Sequence, residues 1–129
     1  MSRQNISSGS PYEPVIGFSR AVRIGNIVHV GGTAPIGPDG KSAAIGDPAG
    51  QVRRSLEIIR AALEQAGAKL EDVIRTRVFM TRQADWKAIG KAHGEVFGAI
   101  RPASSMIVVK ALLDDDWLVE IEADAVIEG

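Results

Sequence analysis

The chain of 129 residues has no cysteine, which removes disulfides, thiolate nucleophiles and zinc-thiolate sites together and leaves the redox compartment open. It also lacks any excess of positive charge: 15 Lys and Arg stand against 16 Asp and Glu, for a formal charge of −1. Phosphate-backbone binding draws on such an excess, so nucleic acid is not expected as a partner. No apolar run is long enough to span a bilayer, and residues 1–10 are polar without the apolar core of a signal peptide. A soluble, cytoplasmic protein with no membrane partner is therefore expected. Histidine is scarce, with only His29 and His93, and the spacing of His93-Gly94-Glu95 splits the faces of a helix. No metal site is expected, and nothing calls for a cofactor.

What is present fits one domain spanning 1–129, long enough to bury a core without metals or disulfides. Residues 1–15, with several Ser and with Pro11 and Pro14, read as a poorly ordered lead-in. Two β-rich runs, Ser19 to Arg23 and Ile27 to Gly31, flank Gly25-Asn26 as a hairpin turn. A long loop from Gly32 to Gly46 precedes Asp47-Pro48, an N-cap followed by a first-turn proline, and Val52, Leu56, Ile59, Leu63 and Ala66 then recur at helical spacing up to Gly67. Val73 to Met80 reads as a strand, with Arg75 and Arg77 on one face and Ile74, Thr76 and Val78 on the other. A second helix from about Ala84 to Phe97 should bury Trp86, Ile89 and Val96 or Phe97. Strands Ser104 to Lys110 and Trp117 to Ile127 complete an α+β fold, with two helices covering one face of a mixed sheet. The other sheet face has no layer left to cover it, which points to self-association.

In the last strand, alternation sets Leu118, Glu120, Glu122 and Asp124 on one face and Val119, Ile121, Ala123 and Ala125 on the other. The apolar face should meet the helices, leaving the carboxylates toward partner subunits. A partly desolvated Glu120 is a candidate general acid or base. Glu122 is more simply explained by pairing with Arg75 and Arg77 across strands. His93 falls near the buried edge of the second helix, either as a proton donor and acceptor or as a partly covered structural histidine. Ser104 and Ser105 have no Gly-x-Ser-x-Gly elbow around them, so a serine nucleophile has little support. Gly31-Gly32-Thr33 marks a close backbone approach that could hold an anion or a carbonyl, or simply an ordinary strand-ending turn.

Several stretches together carry a family resemblance: Phe18-Ser19-Arg20-Ala21-Val22, Val30-Gly31-Gly32-Thr33-Ala34-Pro35, Gln51-Val52-Arg53-Arg54-Ser55-Leu56, Leu63-Glu64-Gln65-Ala66-Gly67 and Val78-Phe79-Met80-Thr81. With Arg101-Pro102-Ala103-Ser104-Ser105 and Glu120-Ile121-Glu122-Ala123, the chain resembles the RidA/YjgF reactive-intermediate (enamine/imine) deaminases. The resemblance implies a chorismate-mutase-like fold and a homotrimer whose sheets face inward, with small-molecule clefts between subunits. It implies that Glu120 positions or activates water. In the deaminases an arginine after Pro-Ala binds a substrate carboxylate; here Ser104 takes its place, so the resemblance is to a divergent subgroup. Phe18 stands for a tyrosine, Gly31 for a serine and Gly90 for an asparagine, which implies a roomier and less polar cleft.

The expected function is hydrolysis of an imine, enamine or related metabolite at inter-subunit clefts, with Glu120 and His93 as catalytic candidates. Phe18, Gly31, Arg101, Ser104 and Ser105 are the candidates for binding it. Arg101 either reaches into the cleft as a substitute arginine or is a solvated loop residue. The alternative is a trimer that binds a metabolite without turnover. Endoribonuclease activity, also ascribed to proteins of this kind, ranks third because no basic stripe is present.

Overall fold

The computed structural model describes residues 2–128. Six strands form one mixed sheet: β1 (Arg3–Ile6), β2 (Ala21–Ile24), β3 (Ile27–Thr33), β4 (Val73–Met80), β5 (Ala103–Val108) and β6 (Val119–Val126), in the order β1-β2-β3-β6-β4-β5. All neighbours are antiparallel except β4 and β5, which run parallel. A parallel pair needs a crossover, supplied by α2 (Trp86–Phe97). The other helix, α1 (Pro48–Gln65), packs beside α2 on the same face of the sheet. Among the described residues no helix is long and apolar enough to cross a membrane.

Local chemistry places α1 where the sequence puts it. The Asp47 Oδ1 accepts from the Gly50 amide at 3.0 Å and Pro48 opens the first turn. At the other end Gly67 adopts φ +85°, and the Ala68 amide returns to the Leu63 carbonyl at 2.8 Å. Val52, Leu56, Ile59, Leu63 and Ala66 are all buried against the sheet. In β6, Val119, Ile121, Ala123 and Ala125 are buried and the carboxylates alternate with them. Slipping this register by one residue would expose two Val/Ile side chains, each worth ~1.5–3 kcal/mol when buried, and push the carboxylates into the core.

Three details differ from the sequence expectation. The stretch read as a lead-in holds β1, paired to β2 from Arg3↔Ile24 to Ile6↔Ala21, followed by one π-helical turn at Glu13–Gly17. Its strand character was masked because it is an edge strand with Ile6 alone buried. Ile74 does not share a face with Thr76 and Val78: Val73 faces Ala125 while Arg75 faces Asp124, so Ile74 is the extra residue of a bulge and lies exposed. Trp86 is not buried either. It overhangs the start of α2, with the Lys87 ammonium 5.7 Å from its ring.

Candidate functional site

On the helix-free face, β3 carries a bulge. Val30 pairs with Ala123 and Thr33 with Ile121, so Gly31 and Gly32 together oppose Glu122. The kink turns both glycine carbonyls toward Arg20, whose Nη1 donates to the Gly31 and Gly32 oxygens and to Thr33 Oγ1 at 3.1 Å. Arg20 is buried and its guanidinium lies 5.4 Å from the Phe18 ring. Above the bulge sits the Glu120 carboxyl. A methyl group built on Gly32 would meet Glu120 Oε2 at 2.5 Å, so glycine is what lets the carboxyl lie against the backbone.

Burial pushes the Glu120 pKa up from the ordinary carboxyl value; the charge of Arg20 works against this and that of Glu122 adds to it. Glu120 is thus a carboxyl poised to hold or release a proton nearer neutrality than an exposed one. A shallow groove of about 590 Å³, lined by Asn5, Glu13, Phe18, Val22, His29 and Gly31, runs over β1, β2 and β3 and reaches the bulge at Gly31 without including Glu120. The rest of the face is tied by charge. Arg77 reaches Glu122 at 3.3 Å and Asp124 at 3.6 Å, and His29 Nδ1 meets Asp124 Oδ1 at 2.6 Å. Glu122 therefore has the structural pairing expected of it, with Arg77.

A second constellation lies on the helix-covered side. Thr76, fully buried in β4, holds His93 Nε2 of α2 at 2.8 Å and Ser104 Oγ of β5 at 2.7 Å from its single hydroxyl. Parallel pairing of Thr76 with Ser104 sets the second contact, and the Phe97 ring, 4.7 Å away, packs on the imidazole. Burial lowers the His93 pKa, favouring the neutral ring.

The candidate residues therefore fall into two groups on opposite faces of one sheet. Glu120, Phe18 and Gly31 lie on the helix-free face, and Ser105 pairs with Arg77 there at the edge. His93 and Ser104 lie on the other. Arg101 sits exposed in the α2–β5 connection with φ +59°, its amide bonded to the Phe97 carbonyl at 2.7 Å. Among the described residues its side chain makes no hydrogen bond, and no three His, Asp or Glu side chains cluster as metal ligands. Sequence reasoning missed Arg20 and Thr76 as site residues. The available signals were a lone arginine two residues after Phe18, entering an apolar strand, and a threonine on the same face as buried Val78.

A sheet layered on one side by two helices, with a partly buried carboxyl over a glycine bulge, defines a small α+β protein with its candidate site on the sheet, and comparison with known proteins supplies the family. The family model described as endoribonuclease L-PSP matches residues 9–127. The crystal structure of Rv2704 from Mycobacterium tuberculosis, a member of the YjgF/YER057c/UK114 family, is 48% identical with a TM-score of 0.89, covering 98% of this chain and 100% of that one. An uncharacterized protein of Streptomyces coelicolor is 37% identical over 95% of this chain and 90% of its own length. The 3-aminoacrylate deaminase RutC of Acinetobacter baylyi is 34% identical over 93% of this chain and 94% of its own. The chain belongs to the endoribonuclease L-PSP family, the YjgF/RutC group.

Proposed function

We propose that this protein hydrolyses a small imine or enamine, with Glu120 as the proton-transfer group, in clefts formed between copies of a homotrimer. The observation that carries the reading is the partly buried Glu120 carboxyl, its pKa raised by burial, seated over the Gly31-Gly32 bulge beside Arg20. Similarity to a 3-aminoacrylate deaminase supports the substrate class. An enamine first becomes the imine by moving a proton from nitrogen to carbon. Water then adds to the C=N carbon while Glu120 passes one of its protons to nitrogen, giving a carbinolamine. Glu120 next moves the hydroxyl proton to the amino nitrogen as the C–N bond breaks, leaving a carbonyl compound and ammonia. Buried Arg20 holds the bulge carbonyls in place. Phe18 supplies an apolar wall.

Two observations support assembly. The helix-free face carries exposed Ile24, Ile27 and Ile107 among its charged residues, and among the described residues neither α1 nor α2 covers it. Glu120 and Ser104 occupy opposite faces, so only two chains together could bring one chain's Glu120 to another's Ser104. The substrate differs from a simple 2-imino acid, because the Ser104 hydroxyl offers neither a fixed charge nor a bidentate fork for a carboxylate. That same serine favours a second reading, a trimer that binds a metabolite without turning it over. The formal charge of −1 argues against RNA cleavage.

Ammonia release from freshly generated 2-iminopropionate and from 3-aminoacrylate tests this. Wild type should accelerate hydrolysis of 3-aminoacrylate more than that of 2-iminopropionate, and Glu120→Gln should lower kcat by ~10²–10⁴. A Ser104→Arg variant should gain on 2-iminopropionate. A wild type and Ser104→Arg that are both inert on either compound would overturn catalysis in favour of the binding reading.

A further inference from the structure

The chain Ser104–Thr76–His93 has a property that neither end has alone. Thr76 Oγ1 lies 2.7 Å from Ser104 Oγ and 2.8 Å from His93 Nε2, and one hydroxyl has a single proton to give. The two bonds therefore run in one direction at a time. With His93 neutral and its proton on Nδ1, Nε2 accepts: Thr76 donates to His93, Ser104 donates to Thr76, and only lone pairs of Ser104 remain for the cleft. With His93 protonated, Nε2–H must donate. Thr76 then donates to Ser104, whose own O–H turns outward with a positive charge two bonds behind it.

We propose that neutral His93 carries its proton on Nδ1 and that Ser104 is therefore a proton-gated oxyanion subsite: protonation of Nε2, relayed through Thr76, turns Ser104 into a hydrogen-bond donor for a small oxyanion, so that anion binding takes up one proton. This deepens the proposed function and rests on its placement of ligand at the Ser104 edge. Three features support it. Ser104 is exposed on edge strand β5 while Thr76 is fully buried, so the relay has one open end. Burial lowers the His93 pKa, so near neutrality the ring is mostly unprotonated and free to take a proton when an anion arrives. Among the described residues no charged side chain bonds to the imidazole. On α1 and α2, Arg53 and Glu95 pair with each other at 3.0 Å; on β4, Arg75 and Arg77 take the opposite face; and β5 holds no titratable residue. Lys87 and Lys91, the other charged residues of α2, do not enter the causes of the His93 shift. A cation that appears on demand is thus available where the sequence offers only a serine.

The test uses propionate and its neutral isostere propionamide as probes, followed by the imidazole NMR signals of intact protein. His29, bonded to Asp124 on the other face, is the internal control. Propionate should raise the titration midpoint of His93 and leave that of His29 unmoved, and propionamide should move neither. The propionate Kd should tighten by up to about tenfold per pH unit on acidification, the limit for one linked proton. Thr76→Ser should keep this coupling. Thr76→Val and His93→Gln should bind propionate with a pH-independent Kd. A His93 midpoint that propionate leaves in place in wild type overturns the proposal, whether the anion binds elsewhere or not at all. Coupling that persists in Thr76→Val also overturns it. The outcome is separable from that of the proposed function. Glu120-dependent hydrolysis without this linkage would leave the enzyme reading standing, and linkage in a protein inert toward imines would leave the subsite standing.

Discussion

Glu120 and Gly32 form a unit in which each constrains the other. In Gly32→Ala the added methyl would fall 2.5 Å from Glu120 Oε2, so the carboxyl must swing away. The variant should fold with a circular dichroism spectrum like wild type, yet lose at least tenfold in kcat toward imine in the ammonia-release assay. The raised pKa of Glu120 fixes the sign of a stability effect. A group that holds its proton more tightly when folded contributes stability below its ordinary pKa and loses it as pH rises through the folded value. At neutral pH Glu120→Gln should therefore unfold at higher urea than wild type, with the gap closing by about pH 4. His93 works in the other direction. Its lowered pKa makes the native state lose stability as pH falls from the ordinary 6.5 toward the folded value. Urea midpoints from about pH 7.5 to about pH 5 should fall further for wild type than for His93→Gln. Glu120 was legible from alternation in its strand, since every second position of Val119–Ala125 is apolar. Arg20 was not, because its role depends on carbonyls that only a bulge aims at it.

Among the elements, α1 and β6 were readable because their periodicity is enforced by burial along their whole length. Strand β1 was not, because a four-residue edge strand with one buried side chain carries almost no pattern. Both bulges escaped for a related reason: Ile74 and Gly31-Gly32 interrupt alternation without changing composition. Trp86 shows the limit of helical spacing, since a residue at the first position of a helix can overhang the core it points toward. One buried polar residue ties elements together. Gln51 of α1 donates from Nε2 to the Asp116 carbonyl at 2.8 Å and accepts from the Leu118 amide at 2.7 Å, two residues before Glu120. Replacing it with Leu leaves the buried Leu118 amide without its partner, at a cost of ~1–3 kcal/mol, and takes a hydrogen bond from the part-buried Asp116 carbonyl as well. Urea denaturation of Gln51→Leu should show a loss of about 3 kcal/mol, larger than surface substitutions produce.

For the whole molecule, the decisive asymmetry is that both helices lie on one side of the sheet. That much followed from counting elements. The division of candidate residues between the two faces did not, because it depends on β4 and β5 pairing in parallel with Thr76 opposite Ser104. If copies of the chain close over the helix-free face, sedimentation of wild type should give the mass of a trimer. Ile107→Asp, which sets a charge on that face at the β5 edge, should sediment as a smaller species with unchanged secondary structure. The bulge in β3 has a consequence for heredity as well as for chemistry. Removing the single codon for Gly32 would leave Val30 opposite Ala123, Gly31 opposite Glu122 and the following threonine opposite Ile121, a regular ladder with every core side chain still inward. The smallest in-frame lesion in this gene would then spare the scaffold and erase the seat of Glu120. A lineage could discard the proposed reaction in one step and still inherit the fold intact.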